Sequence, residues 1–358
     1  MRILYFGTYD RDYPRNAQVI SALRGAGVDV HERHVGVWEG RRESWQAGAA
    51  AAARLAAAEL RLLRRLPAQS FDGLIVGYPG HLDLPAARRA ARGRPVVFNP
   101  LVSLADTFVT DRGRFRPGSL AARALTAIDR SALRTAELVV ADTAANADYL
   151  ARLAGLPRER VEVCFVGAEE RVFRPGWSAR EPFTCLFIGK LIPLHGLETI
   201  LQAARAAPGL AFRIIGSGQL ERLVHDRPAN VDWLPWVDYD RLPDELHRAG
   251  CALGIFGTSD KAMRVIPNKA FQALACGTPL VTADTPAARE LLVHEQSALL
   301  VRPGDSEALA AAITRIAADG ELAHKLSEHG LATYRDHASE EVLGARWRSL
   351  LERLIARR

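Results

Sequence analysis

Phe183-Thr184-Cys185-Leu186-Phe187-Ile188-Gly189-Lys190-Leu191-Ile192-Pro193-Leu194-His195-Gly196-Leu197 is an apolar run that stops at a glycine, crosses a short loop and enters a helical pattern. The run 183–188 reads as a buried strand and 197–206 as a helix. Outward from this unit the alternation continues. Downstream it gives strands at 211–215, 231–234, 253–256, 280–282 and 299–301, with helices at 242–248, 268–275, 287–293 and 306–317. Upstream it gives strands at 3–6, 28–35, 73–77, 95–98, 138–141 and 161–166, with helices at 16–24, 45–65, 84–92, 119–134 and 144–154. Such alternation predicts an α/β fold of parallel sheets covered by helices on both faces. At 358 residues the chain exceeds one ordinary core, so two Rossmann-like domains are expected. The break Phe173-Arg174-Pro175-Gly176 separates a first domain, 1–172, from a second, 173–337. Residues 338–358 form a closing amphipathic helix with Val342, Trp347, Leu350, Leu351 and Leu354 on one face. Two wound sheets facing a cleft put ligands at the carboxyl ends of their strands, so the strand-to-helix turns are where chemistry is sought.

Composition narrows the classes. With 48% hydrophobic and 25% charged residues, both halves can bury a core. Cys164, Cys185, Cys251 and Cys276 sit in apolar runs without CxxC or metal-ligand spacing, as reduced core thiols of a cytoplasmic protein would. The apolar start, Met1 to Gly7, is too short for a signal peptide, and no run of about 18 apolar residues spans a membrane. Net charge +6 and a pI near 9.4 suit anionic substrates. The arginines are scattered without interleaved aromatics, against nucleic-acid binding, and any membrane contact would be peripheral.

Three turns of the second half carry the chemistry. After Ile188, Gly189 and Lys190 lead to a helix opening at Gly196, whose free N–H groups and partial positive charge suit a diphosphate flanked by Lys190 and His195. Ile215 is followed by Gly216-Ser217-Gly218, a pair that lets backbone approach a ligand closely. It is no dinucleotide fingerprint, because the third glycine and the acidic partner are missing. The third turn, 257–267, is polar and basic and runs into a helix that ends at Gly277. Lys261, Arg264 and Lys269 are expected to converge there with the helix dipole on an anionic ligand.

In this order the turns resemble the donor-binding half of family-4 glycosyltransferases with the GT-B fold, over roughly 183–300. The matching elements are Gly216-Ser217-Gly218, the strand and loop Val231-Asp232-Trp233-Leu234-Pro235-Trp236-Val237, and Phe271-Gln272-Ala273-Leu274-Ala275-Cys276-Gly277-Thr278-Pro279-Leu280-Val281. The resemblance implies a nucleobase pocket at Trp236 and Val237, a nucleotide-binding role for Gly216, Gly218 and Gln272, and sugar contacts at Arg264 and Asn268. Two departures stand out. The family's Arg and Lys of the first element are Lys190 and His195 here, and its paired glutamates fall at Arg264 and Gln272. A charged hydrogen bond contributes about 1.5–3 kcal/mol and a neutral one about 0.5–1.5, so Gln272 keeps a ribose contact at a loss of roughly 1 kcal/mol. Arg264 cannot accept a hydrogen bond, so the sugar must be recognised differently or the basic loop grips phosphate.

The implied activity is transfer of a sugar from a nucleotide diphospho-sugar, UDP-sugar favoured, to an acceptor hydroxyl or similar nucleophile, with retention of configuration and no bound cofactor. No Asp-x-Asp element stands in a suitable loop, in keeping with metal independence; Lys190, His195, Lys269 and the amides at Gly196 would carry the developing charge. In the first half, Gly7 follows the first strand where such enzymes bring a loop near the donor phosphates. His81 and Asp106 follow later strands and are the candidates to orient the acceptor or assist proton removal. The competing readings are a sugar-nucleotide epimerase of the same fold, a non-catalytic sugar-nucleotide-binding protein, and a nicotinamide-dependent dehydrogenase, which the missing fingerprint disfavours.

Overall fold

The computed structural model describes residues 1–11, 13–37, 49–64, 70–179 and 182–357. The chain divides into two compact units, 1–166 with 340–358, and 167–339. The expected boundaries fell at 172/173 and 337/338.

The first unit carries strands β1 (Arg2–Gly7), β2 (Asp29–His34), β3 (Gly73–Val76), β4 (Val96–Phe98), β5 (Leu138–Ala141) and β6 (Val161–Val163). They pair in parallel in the order β2-β1-β3-β4-β5-β6. Its helices are α1 (Pro14–Gly25), α2 (Ala49–Arg64), α3 (Leu84–Ala91), α4 (Leu120–Thr135) and α5 (Ala144–Ala154). Of the expected helix 45–65, residues 45–48 and 65 lie outside the described residues. The second unit repeats the plan with β7 (Thr184–Ile188), β8 (Ala211–Ile215), β9 (Val231–Leu234), β10 (Cys251–Leu253), β11 (Leu280–Ala283) and β12 (Leu299–Val301), in the order β12-β11-β10-β7-β8-β9, again parallel. Its helices are α6 (Leu197–Ala206), α7 (Arg222–His225), α8 (Leu242–Arg248), α9 (Asn268–Cys276), α10 (Ser306–Ala318) and α11 (Gly320–His337). Central strands such as β3, β5 and β11 are buried at every position, as strands covered on both faces must be.

Local chemistry sets the boundaries. Thr143 caps α5 by accepting from Asn146 N, and Gly155 ends it in the left-handed region at φ 62°. Asp305 and Asp319 cap α10 and α11 in the same way. The sequence reading missed α11. Its buried line runs Leu322, Leu326, Gly330, Tyr334, and a glycine in the middle dilutes the apolar signal. That glycine is needed, because a Cβ there would stand 3.0 Å from Leu274 Cδ2 and 3.1 Å from Ser297 O. The helix expected at 287–293 is a single 3-10 turn, Ala288–Glu290, after which Val293 N turns to the Ser297 hydroxyl.

The last helix, α12 (Glu340–Ala356), belongs to the first unit and packs on α1. A Cβ on Gly344 would meet Ala22 O at 2.3 Å, so the crossing is close. Leu343, Trp347, Leu350 and Leu351 join Ile3, Tyr5, Ile20, Leu23 and Val140 in one core. Beside Trp347, the fully buried Arg15 donates to Asn99 Oδ1, Phe165 O and Cys164 O, tying α1 to the ends of β4 and β6. Trp347→Ala is therefore expected to cost about 3–5 kcal/mol. Guanidinium unfolding followed by circular dichroism measures this; a loss under about 1 kcal/mol would contradict the packing role.

Candidate functional site

In a wound sheet the ligand crevice lies where strand order reverses. In the second unit that point falls between β7 and β10, the two strands from which the chain winds outward in opposite directions. Three turns meet there. Gly189, at φ 152°, donates to Ile215 O, and Leu191 N donates to Ser217 O, which laces the turn after β7 to the turn after β8. Gly216 and Gly218 also have positive φ, 142° and 150°. A Cβ on Gly216 would lie 1.9 Å from Gly189 O, and one on Gly218 would lie 2.9 Å from Leu191 O. The glycine pair, expected to admit a ligand, thus first admits the neighbouring turn. Trp233 Nε1 donates to Gly216 O and closes that turn from the β9 side.

Gly196 holds φ 69° at the start of α6, where a side chain would strike Phe256 and Gly257 backbone at 2.6–2.7 Å. Neither α6 nor α9 has a side chain capping its first turn. Both helices therefore leave first-turn N–H groups without a side-chain cap. Lys269, the second residue of α9, is 8% exposed. Its Nζ lies 4.3 Å from the centroid of the Phe187 ring and has no hydrogen-bond partner. A Cβ on Gly189 would stand 2.8 Å from that Nζ and 3.3 Å from His195 Cε1, so lysine amine, imidazole and glycine turn share one spot. Burial pushes the Lys269 amine well below the usual lysine range. His195 Nδ1 lies 2.5 Å from Lys190 O; a carbonyl only accepts, so Nδ1 is the donor in this contact.

The other expected residues differ in setting. Lys190 is exposed beside the turn, and Asn268 is half-buried at the head of α9. Gln272 is buried one turn further along α9. Trp236 is 56% exposed and donates to Asp238, and Val237 is half-buried. The three cations of the basic loop differ in their settings. Lys261 is buried, Arg264 turns its Nε back to Asp260 O at 3.0 Å, and Lys269 alone stands unpaired at the glycine turns. Phe187 and Trp233, which shape the site, were not singled out from the sequence; both are aromatic positions on strands, indistinguishable there from core.

The first unit reverses its strand order between β1 and β3. Gly7, expected near the donor phosphates, sits in a turn with a carboxylate of its own. Its turn is already filled by a carboxylate: Asp83 accepts from Thr8 N at 2.7 Å and Thr8 Oγ1 at 3.0 Å, and a Cβ on Gly7 would lie 2.0 Å from Asp83 Oδ2. A phosphate would meet negative charge at that point. Burial, and then the hydrogen bond and charge of Asp83, push the Glu59 carboxyl up to about 10. A carboxyl whose folded value exceeds its unfolded one, about 4.3, contributes stability fully present below pH 4.3 and lost as pH rises through about 10. Glu59→Gln, which keeps the protonated shape, is thus expected to raise the melting temperature at pH 7 and further at pH 9, with little gain near pH 4. Identical pH profiles for both proteins by calorimetry would contradict this pairing.

His81, expected on the acceptor side, is buried and held by its neighbours. Its Nδ1 contacts Pro79 O, its Nε2 lies 3.3 Å from Asp129 Oδ1, and the ring is 6% exposed. Asp129 also accepts from Ser103 Oγ, Leu104 N and Ala105 N. The ring therefore braces the loop after β3 against α4 rather than offering a nitrogen to a substrate; burial lowers its pKa while Asp129 opposes that. Asp106 opens a π-helical turn, Asp106–Asp111, and lines a groove of about 880 Å³ along α4 with Arg123, Arg130 and Arg134. Among the described residues no three His, Cys, Asp or Glu side chains gather as metal ligands would, and no helix is long and apolar enough to cross a membrane.

Two doubly wound parallel sheets, each with its crevice at a switch point, define an α/β protein of the doubly wound class. Comparison with known families makes this specific. Residues 3–167 match the "Glycosyl transferase 4-like domain" and residues 168–332 match "Glycosyl transferases group 1". The chain belongs to this glycosyltransferase family. A D-inositol 3-phosphate glycosyltransferase of Acidothermus cellulolyticus is 29% identical over 252 residues, covering 62% of this chain and 55% of that protein. The chain spans about half the length of the curated relatives it matches. Among solved structures, sucrose-phosphate synthase from Thermosynechococcus elongatus superposes with a TM-score of 0.75 at 16% identity, covering 100% and 99% of the two chains. Anabaena HepE in complex with UDP-glucose gives 0.69 at 16% identity, covering 98% and 99%. The fold is that of GT-B glycosyltransferases.

Proposed function

We propose that this chain transfers a hexosyl group from a nucleotide diphospho-sugar, UDP-linked by preference, to an acceptor hydroxyl or similar nucleophile. The observation that carries the reading is the buried Lys269 side chain, without a hydrogen-bond partner, at the second unit's switch point. An ionisable side chain stored without an acceptor beside two helix starts suits a site whose ligand supplies the negative charge. A neighbour in fold, HepE, was solved with UDP-glucose, which favours uridine as the nucleoside.

In this reading Lys269, Lys190, His195 and the amides at Gly196 hold the diphosphate and stabilise the charge that grows on it as the glycosidic bond breaks. Those donors are fixed by the fold, so they need little reorganisation during reaction and can serve without a metal ion. Gly216, Gly218, Trp236, Val237 and Gln272 hold the nucleoside, and Arg264 and Asn268 face the sugar. Asp106 remains the acceptor-side candidate. Retention of configuration follows from the family resemblance. A second reading, a protein that binds the nucleotide sugar without transferring it, is favoured by Arg264 and Gln272 standing where the paired glutamates belong.

Thermal-shift screening against UDP, GDP, ADP and dTDP tests the donor site. A ligand at 100 times its Kd adds about 2.7 kcal/mol of stability, a shift of several degrees for domains of this size. A shift with UDP is expected; no shift with any of the four overturns the reading. Slow hydrolysis of UDP-glucose without acceptor separates the transferase from the binding protein.

A further inference from the structure

Lys269 is held in a place that disfavours its charge. Its Nζ rests 4.3 Å from the centroid of Phe187, whose ring face attracts a cation only weakly, and no oxygen lies in hydrogen-bond reach to offset its burial. The cationic end of α9 begins one residue before it, and that of α6 opens at Gly196, beside the His195 ring that shares the spot. The charged groups on neighbouring elements do not offset this. Lys190 and His195 follow β7, and Lys261 and Arg264 precede α9; the acidic groups on these elements, Glu198 in the first turn of α6 and Asp260 before Lys261, are both exposed to water. On α8, Glu245 is taken by Arg213, and after β11, Asp284 is taken by Arg289. A nucleoside diphosphate would reverse the balance by bringing oxygens and negative charge to a lysine that has no hydrogen-bond acceptor.

We infer that Lys269 stands as a neutral amine in the empty site and takes up a proton when a nucleoside diphosphate enters, so that donor binding and protonation of this lysine are one coupled event. The inference rests on the donor-site reading above. The new N–H bond forms between Nζ and a proton drawn from the buffer, and no other bond changes. The direction in which burial moves this amine agrees. A lysine so placed senses the diphosphate and holds it most strongly once charged; departure of UDP returns the proton.

Calorimetric titration of the whole chain with UDP, at about pH 8.5 in phosphate and in Tris, tests the coupling. The phosphate ionisations of UDP are complete there, since a second phosphate pKa is about 6. The difference in apparent enthalpy between buffers is expected to report about one proton taken up per UDP bound. Lys269→Arg, whose guanidinium is always charged, is expected to bind UDP with uptake near zero. As a measurement independent of any variant, affinity for UDP should fall about tenfold per pH unit above pH 8.5. Binding with no uptake, uptake unchanged in Lys269→Arg, or affinity flat with pH would each overturn the coupling and leave the donor site standing. Failure of UDP, GDP, ADP and dTDP to bind at all would overturn both.

Discussion

Lys269→Ala is expected to weaken UDP binding about 10- to 100-fold, whereas Arg64→Ala, an exposed change on α2, leaves it within about twofold. Hydrogen bonds to a charged group contribute about 1.5–3 kcal/mol, and each 1.4 kcal/mol is a factor of ten. The same replacement should not destabilise the empty protein in proportion. Lys269 has no hydrogen-bond partner to lose, only its contact with the Phe187 ring, and its amine is depressed by burial. A lysine whose folded pKa lies below its unfolded value near 10.4 withholds stability at neutral pH, and that penalty fades as pH rises toward 10.4. Lys269→Met, which keeps the volume, should therefore melt higher than the parent at pH 7, with the margin shrinking at pH 10. Titration calorimetry for binding and scanning calorimetry for melting read the two effects separately. Equal losses of UDP affinity in Lys269→Ala and Arg64→Ala would remove Lys269 from the site.

Gly216→Ala should cost about 2–6 kcal/mol, the sum of strain at positive φ and of overpacking against rigid backbone. The new methyl would stand 1.9 Å from Gly189 O and 2.9 Å from Gly189 C, neither of which can swing aside as a flexible side chain could. The expected fall in melting temperature is roughly 5–20 °C for a unit of this size. Gly209→Ala is the control in the same unit, exposed and with nothing within 4 Å of the added carbon, and should change stability by less than about 0.5 kcal/mol. A mild effect at Gly216 would mean that the turns after β7 and β8 are not locked together.

The sheets were legible because fully buried strands write themselves as continuous apolar runs, and because glycine ended them where chain had to turn. The closing helix was legible from the spacing of Trp347, Leu350, Leu351 and Leu354. What the sequence could not supply was the identity of distant partners. Thr8 and Asp83 stand 75 positions apart, and His81 and Asp129 stand 48 apart. A turn glycine already filled by a carboxylate reads the same as an open one, and a histidine locked by aspartate reads the same as a candidate base. The cations of 257–269 posed a similar difficulty. Their spacing suggested a common target, but the 3-10 turn Ala262–Arg264 sends Arg264 back to Asp260, and only the first turn of α9 aims a lysine at the glycine turns. The resemblance rested on the order of these elements along the chain, and two glycosyltransferase domain models match residues 3–167 and 168–332.

A crystal structure of the chain with UDP tests the central claim most directly. The diphosphate is expected at the turn after β7, with an oxygen about 2.7–3.2 Å from Lys269 Nζ and another facing the N–H groups that open α6. UDP seated elsewhere, in the α4 groove or at Thr8, with Lys269 still resting unpaired on Phe187, would contradict it.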